Sequence, residues 1–286
     1  MIIVVHGGAG KIPEEDQEER ASVLREAAEK ALSEAGPLQA VERAIRMLEA
    51  EPLFNAGYGG SAQLDGAVRL DAAVMTSDLS SGGVINVEGI AHPITLANIV
   101  REETPHTLLQ GAGAVELGHH FDLELVDETK SQKVEKKWKE LDDKLSGLSY
   151  QEKLAKLKEL NEGNDTVGAV AMENGKLSAG TSTGGVRNQM KGRVGDSAII
   201  GSGLYCNGCG AVSTTGVGEA IIKVNLAREL VYQLERGLEP RAGAAKAVSK
   251  LAESTGSRAG LISLNAEGEV GTAHNTRDMQ YAIEEG

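Results

Sequence analysis

The sequence has few residues of the kinds that build disulfide or metal centres. Its only two cysteines, Cys206 and Cys209, form a lone CNGC among 286 residues. Such a pair can be a local disulfide, half of a zinc site or a redox pair. No second cysteine pair or nearby His-x-x-x-His completes a metal site, so metal ligation by side chains is not expected. We favour two structural cysteines, with a disulfide as the alternative.

Long apolar runs and excess positive charge are also lacking. The first residues, MIIVVHGGAG, contain an apolar run of only four residues and no basic leader. They predict neither a signal peptide nor a membrane span, and we expect a cytoplasmic enzyme. Lys and Arg number 29 against 42 Asp and Glu, a formal net charge of -13. Because nucleic-acid affinity comes mainly from cations that neutralise phosphates, a nucleic-acid partner is not expected.

Several familiar active-site motifs are missing as well. There is no G-x-S-x-G, and the six histidines stand in unrelated contexts, so we interpret them, including His6, as structural. The segment HGGAG, residues 6–10, lacks both the G-x-G-x-x-G spacing and the Lys-Ser/Thr ending of a phosphate loop. A non-enzymatic nucleotide-binding or anion-binding module is therefore a distant alternative.

What the sequence does contain is glycine, 36 residues, and a clear alternation of strand and helix patterns. Strands are grouped in hairpins and helices in pairs, which favours antiparallel sheets covered by helices over alternating βαβ units. The class is therefore α+β. Strands are predicted at residues 2–6, 166–173, 176–182, 197–201, 210–214, 260–265 and 269–274, and helices at about 14–35, 37–51, 93–103, 108–118, 217–236 and 240–254.

The sequence pattern changes at Thr166, where a segment rich in Lys, Glu and Leu (residues 131–165) ends and a β pattern begins. We interpret that segment as a solvated, partly helical connector without chemistry. The following Asn174-Gly175 is a two-residue hairpin turn signal and fixes the strand register. Opposed residues then add to 349, which pairs Thr166 with Thr183, although a bulge could shift the pairing by one residue.

The surroundings of this threonine pair suggest a polar pocket. Arg193 and Asp196 bracket a turn, and Thr215 precedes Gly216 and Gly218 at the start of a helix, where free backbone N–H groups collect. A hydroxyl is a weak nucleophile unless a base lies near, and one solution is a threonine beside its own N-terminal amine. Thr166 can supply such an amine only if the Asp165-Thr166 bond is cut.

Seven short segments follow one another along nearly the whole chain: HGGAG (6–10), PLFNAGYG (52–59), LDAAVM (70–75), TVGAVA (166–171), TSTGG (181–185), GRVGDS (192–197) and TTGVGE (214–219). Each segment alone is a weak signal, but seven in this order and at these spacings are specific. Together they resemble the plant-type asparaginase and isoaspartyl aminopeptidase group of N-terminal nucleophile hydrolases.

The resemblance implies a four-layer αββα sandwich, formed by a single hydrolase domain over residues 1–286. It also implies that the precursor cuts itself before Thr166 into an α-subunit of 1–165, whose residues 131–165 are a flexible or helical linker, and a β-subunit of 166–286. A dimer of these processed heterodimers is the implied assembly. No cofactor is required, although the family often holds a sodium ion through backbone carbonyls near residues 50–60.

The resemblance also assigns roles to site residues. Thr166 is implied to be the nucleophile, Thr183 its support, and Thr215 and Asn55 parts of the oxyanion region. Two further residues, Arg193 and Asp196, are implied to bind the α-carboxylate and the α-amine of the substrate. Backbone groups of the remaining two positions line the substrate site: Gly216 and Gly218.

The implied activity is hydrolysis of L-asparagine to L-aspartate and ammonia, together with cleavage of β-aspartyl dipeptides. Two features lean towards glycosylasparaginase instead, namely Asp165 where the asparaginase branch has glycine, and GYGG after Asn55. The FNAG stretch and Gly184-Gly185 resemble the asparaginase branch. Glycosylasparaginase is therefore the alternative within the same chemistry.

Overall fold

A computed structural model describes residues 1–125, 132–160 and 166–286. No helix within those ranges is both long and apolar enough to cross a bilayer. The strands are β1 (Ile2–Gly10), β2 (Leu70–Thr76), β3 (Ser81–Val87), β4 (Leu108–Gln110), β5 (Val167–Glu173), β6 (Lys176–Thr183), β7 (Leu204–Asn207), β8 (Gly210–Gly216), β9 (Ala259–Asn265), β10 (Val270–His274) and β11 (Asp278–Glu285). The helices are α1 (Gln17–Ala31), α2 (Pro37–Ala50), α3 (Pro93–Glu103), α4 (Gly111–His120), α5 (Gln132–Leu145), α6 (Tyr150–Leu160), α7 (Gly218–Val224), α8 (Leu226–Glu235) and α9 (Pro240–Thr255).

The strands form two sheets. The larger has the order β11-β1-β5-β6-β2-β3-β4 and the smaller β10-β9-β8-β7. Among the strands of the described ranges, every pairing is antiparallel except that of β3 with β4, which is parallel. The predicted α+β class with antiparallel sheets is confirmed.

The β5-β6 hairpin has the register that its turn residues predict. Asn174 and Gly175 both have positive φ, 50° and 73°, as a type I′ turn requires. Glu173 pairs with Lys176 and, at the far end, Val167 pairs with Ser182. These pairs add to 349, so no bulge shifts the register before the ladder ends next to Thr166.

One predicted strand is wrong. Residues 197–201 form turns, and the strand of this region is β7. The Asp196 carbonyl accepts from the backbone N–H of Ile199 at 2.8 Å, and the Ile199 carbonyl accepts from that of Ser202 at 2.9 Å. Gly201 then has a φ of 92°, a conformation that a regular strand excludes. The apolar run therefore folds back on itself beside Asp196.

The hydrophobic residues form three clusters. The first joins helices α1 to α4 to the larger sheet, with Ile45 and Val167 among its members. The second joins helices α7 to α9 to the smaller sheet, and Leu230 belongs to it. The third contains residues from both sheets, such as Val170 and Ile262. Because alternate residues of a strand point to opposite faces, each sheet contributes to two clusters.

The connector is helical where it is described, over α5 and α6. Its first helix packs on the protein, since Leu141 and Leu145 are buried and Trp138 lies against the first hydrophobic cluster. The Trp138 ring also lies against the Asp65-Gly66 turn, with Nε1 3.5 Å from the Leu64 carbonyl oxygen. Asp165, the predicted residue before the cut, lies outside the described residues.

Smaller differences concern element ends and the cysteines. The first strand continues through the glycines to Gly10 with a bulge after His6. The helix predicted at 217–236 is divided at Asn225, whose φ is 50°. Both cysteines are free, Cys206 being buried and Cys209 exposed, as expected for structural cysteines.

Candidate active site

Thr166 lies at the start of β5, between the two sheets. It is buried, with 4% of its surface exposed. Its backbone nitrogen is 3.3 Å from Oγ1 of Thr215 on β8 of the smaller sheet. Its own Oγ1 is 3.5 Å from Oγ of Ser197, in the turn before β7. The backbone nitrogen and the hydroxyl of one threonine are thus both in contact with buried hydroxyls.

Thr183 and Asn55 meet at Gly185, at the end of the adjacent strand β6. Oγ1 of Thr183 accepts a hydrogen bond from the Gly185 backbone N–H at 3.0 Å. Nδ2 of Asn55 donates to the Gly185 carbonyl at 2.7 Å, and its Oδ1 accepts from the Ser61 N–H at 2.8 Å. The Asn55 side chain therefore joins the loop after α2 to the end of the β5-β6 hairpin.

Arg193 and Asp196, here called the Arg–Asp pair, come together beside the first turn of α7. A Cβ at Gly218 would lie 2.6 Å from Asp196 Oδ1 and 2.8 Å from Arg193 Nη2, so only glycine leaves room for both charged groups. The guanidinium donates through Nε to Glu219 at 2.9 Å and through Nη1 to Gln189 at 3.1 Å. These two hydrogen bonds fix the orientation of the planar guanidinium.

The carboxylate of the Arg–Asp pair lies in a buried and electrically negative environment. The pKa of Asp196 is raised to about 6, chiefly by burial; Glu219 and Asp71 contribute to this rise, and Arg193 opposes it. Oγ1 of Thr214 lies 3.5 Å from Asp196 Oδ2. Asp196 is therefore more easily protonated than an exposed aspartate.

The structure brings the sequence-predicted residues into two neighbouring groups. In the first group Thr166 contacts Thr215 through its backbone nitrogen and Ser197 through its hydroxyl, and Ser197 follows Asp196 of the Arg–Asp pair directly. Thr183 and Asn55 form the second group around Gly185, and Thr183 is the residue next to Ser182, the partner of Val167. Buried hydroxyls, an amide and one fixed cation with a carboxylate give the chemistry of a site for a small zwitterion.

Comparison with known proteins identifies the family. A family model described as asparaginase matches residues 1–286. The chain belongs to this asparaginase family, and it is a hydrolase. The plant-type L-asparaginase of Pyrococcus horikoshii is 40% identical over 295 residues, covering 99% of this chain and 95% of the relative. The isoaspartyl peptidase/L-asparaginase of Xenopus laevis is 40% identical over 291 residues, 98% of this chain and 91% of the relative.

In this asparaginase-family chain the one histidine at the site is buried and neutral. His6 Nε2 lies 2.8 Å from Ser213 Oγ, and Nδ1 accepts from the Gly8 backbone N–H at 3.3 Å. Burial lowers the pKa of His6 to about 3, and a backbone hydrogen bond with Thr166 offsets part of this shift. A ring with so low a pKa is a poor general base, in agreement with its interpretation as structural.

Four polar residues at the candidate site received no role from the sequence. Ser197 contacts Thr166, and Gln189 and Glu219 hold Arg193. Asp71 is buried and interacts electrostatically with Arg193. Three of them lie within the seven segments that carry the family resemblance, but only the folded chain shows which group each of them contacts.

In the loop near residues 50–60, two backbone carbonyl oxygens pack closely against Gly59. A Cβ added at Gly59 would lie 1.9 Å from the carbonyl oxygen of Phe54 and 3.0 Å from that of Pro52, so the position leaves no room for a side chain. Among the described residues no group of three or more His, Cys, Asp or Glu side chains could hold a metal ion.

Proposed function

We propose that this protein hydrolyses L-asparagine to L-aspartate and ammonia and cleaves β-aspartyl dipeptides, with Thr166 as an N-terminal nucleophile. The observation that supports this proposal most directly is that the backbone nitrogen and the Oγ1 of Thr166 both contact buried hydroxyl groups, those of Thr215 and Ser197. Cleavage of the Asp165-Thr166 bond converts that nitrogen into an amine, already held by Thr215 and close to the hydroxyl that it must deprotonate. The relatives named L-asparaginase and isoaspartyl peptidase support the substrate class.

The Arg–Asp pair accounts for recognition of the substrate. Its guanidinium offers parallel N–H donors for an α-carboxylate, and its carboxylate accepts from an α-ammonium. Both groups are fixed by neighbours before the substrate arrives, which reduces the entropy lost on binding. A substrate held in this way directs its side-chain amide towards Thr166. The pair lies close to the nucleophile because Ser197, the residue after Asp196, has its Oγ 3.5 Å from Thr166 Oγ1.

Turnover follows the chemistry of an activated hydroxyl. Thr166 Oγ1 attacks the amide carbon, and its proton passes to the α-amine of the same residue. The oxyanion that forms is stabilised by Asn55 and by donors near Thr215. The amine returns the proton to the leaving nitrogen, the C–N bond breaks and ammonia departs. Water then hydrolyses the ester, which releases L-aspartate and restores the hydroxyl.

The same hydroxyl can generate the free amine. Thr166 Oγ1 attacks the carbonyl carbon of residue 165, the peptide C–N bond breaks, and the acyl group moves from nitrogen to oxygen as an ester. Water hydrolyses that ester, leaving subunits of 1–165 and 166–286. Thr166 is buried and its Oγ1 contacts the hydroxyl of Ser197, which supports this step. The attacking hydroxyl belongs to Thr166 itself, so the step needs no other side chain as the nucleophile.

The three hydrophobic clusters support the αββα sandwich of the N-terminal nucleophile hydrolases as the arrangement of the layers. We also propose, from the family resemblance, a structural sodium ion held by backbone carbonyls near residues 50–60, where the carbonyl oxygens of Pro52 and Phe54 both lie close to Gly59. A dimer of processed heterodimers is the proposed assembly, on the basis of the family resemblance alone.

Activity assays of matched variants test this proposal. Purified protein, incubated until cleavage is complete, should release ammonia from L-asparagine and aspartate from a β-aspartyl dipeptide. Thr166→Ala should stay a single chain and release neither product, whereas Thr272→Ala, which removes a hydroxyl on β10, should behave as the original. Activity of the Thr166→Ala chain would refute the assignment. Faster release of sugar from an N-linked aspartylglucosamine than of ammonia would favour glycosylasparaginase.

A further inference from the structure

Asp71 is a buried carboxylate on the nucleophile's side of the larger sheet. In the ladder between β2 and β6 it pairs with Thr183. Directly opposed residues of an antiparallel pair point to the same face, so the Asp71 and Thr183 side chains share one side of the sheet. Only 3% of Asp71 is exposed. A carboxylate this well buried is costly unless specific partners compensate for the lost hydration.

The partners of Asp71 all belong to, or hold, the turn that carries the Arg–Asp pair. Its Oδ1 accepts from the Asn86 backbone N–H at 2.7 Å, and it also accepts a backbone hydrogen bond from Gly195. The Asn86 side chain in turn donates through Nδ2 to the Arg193 carbonyl at 3.2 Å. Gly195 stands between the two members of the pair, so Asp71 is bonded to the middle of this turn and Asn86 to its beginning.

We propose that Asp71 is a positioning residue that fixes the Arg–Asp pair and so determines affinity for substrates with a free α-carboxylate and α-ammonium. This inference rests on the proposed function. Asp71 acts in two ways, by bonding the Gly195 N–H and by placing a negative charge near both members of the pair. The first sets the turn's geometry. The second attracts the Arg193 guanidinium and repels the ionised form of Asp196.

The charge of Asp71 has an effect that a residue with a purely structural role would not have, namely a change in the pKa of Asp196. Three carboxylates act on the Arg–Asp turn, since Arg193 interacts with Asp71, Asp196 and Glu219. Burial is the main cause that raises the pKa values of both Asp71 and Asp196 to about 6, and the charge of Asp71 also disfavours the ionised form of Asp196. Loss of the Asp71 charge should therefore lower the pKa of Asp196, with Arg193 and Glu219 unchanged.

The test uses Asp71→Asn in the processed protein. This variant keeps an oxygen for the Asn86 N–H but loses the charge and the acceptor for Gly195. KM for L-asparagine should rise by about 10-fold or more, the value of one charge-assisted hydrogen bond, while kcat changes much less. The acid limb of kcat/KM against pH should move to lower pH. An unchanged KM, or a raised KM with an unmoved acid limb, would overturn the proposal.

Two matched variants complete the design. Asn86→Gly keeps the positive φ of 53° and the backbone donor to Asp71 while removing the side-chain bond to Arg193. It should raise KM without moving the acid limb, and it tests the geometric part even where Asp71→Asn does not fold; an unchanged KM here would count against the proposal. Asp122→Asn removes one exposed charge at a φ of 50° and should change neither quantity. If the original protein hydrolyses L-asparagine but Asp71→Asn binds it equally well, only this inference fails.

Discussion

Replacing His6 with glutamine should alter how stability depends on pH. The His6 ring is fully buried, and its pKa is lowered from 6.5 to about 3 by burial. Protonation would also place a proton on Nδ1, where the Gly8 N–H already points. The unfolded chain binds this proton below about pH 6.5, whereas the folded chain does not bind it until about pH 3. Stability contributed by the neutral ring is complete above the unfolded pKa and is lost as the pH falls.

The size of the effect follows from the difference in pKa. Each pH unit between the two pKa values costs about 1.4 kcal/mol of unfolding free energy per proton. Lowering the pH from 6.5 to 4.5 should therefore destabilise the protein by about 2 to 3 kcal/mol through His6 alone. Three buried carboxyls whose pKa values are raised oppose this trend, but they are shared by both proteins and cancel in the comparison: Glu49, Asp71 and Asp196.

Urea denaturation in the Thr166→Ala background, which is expected to stay a single chain, measures the difference. The free energy of unfolding is taken at several values between pH 7.5 and 4.5 for His6 and for His6→Gln. The histidine protein should lose about 2 to 3 kcal/mol more than the glutamine variant over the acidic range. Equal losses in both proteins would mean that the ring is protonated inside the fold, and the assignment of a neutral structural histidine would be refuted.

Three further outcomes follow from single contacts. Ser182→Ala removes the hydroxyl that donates to buried Glu49 at 2.7 Å, on the helix-covered face, and should cost about 1.5 to 3 kcal/mol in urea denaturation while KM stays unchanged. Gly218→Ala places a methyl group against the Arg–Asp pair and should raise KM strongly in steady-state assays; unaltered KM would contradict the packing. Trp138, the only tryptophan, should keep short-wavelength fluorescence after processing, whereas Gly66→Ala, which crowds the ring, should shift emission to longer wavelength.

Local sequence signals predict those parts of the site that depend on neighbours along the chain. Asn174-Gly175 predicts the hairpin register because a two-residue turn leaves the strands no other pairing. The α+β class follows from strands grouped in hairpins, since short connections favour antiparallel pairing. Predictions of this kind require only turn chemistry and alternation of side chains along a strand.

Contacts between distant segments could not be predicted in this way. Residues 197–201 have a strand-like composition, but they turn because the carbonyl of buried Asp196 caps them. Asp71 lies more than 100 residues from Gly195, so neither residue alone indicates their hydrogen bond. Trp138 stands in a segment whose charge suggests full solvation, and its packing on the Asp65-Gly66 turn depends on the position of a loop far away in sequence.

The most direct test of the account is N-terminal sequencing of the purified protein before and after incubation. The account predicts that incubation produces a second chain beginning Thr-Val-Gly-Ala-Val, starting at Thr166, and that amidase activity increases in parallel with it. The Thr166→Ala protein should yield only the original N-terminus. Full activity in a chain that stays intact, or cleavage at another bond, would contradict the central claim that Thr166 becomes a nucleophile by losing its peptide bond.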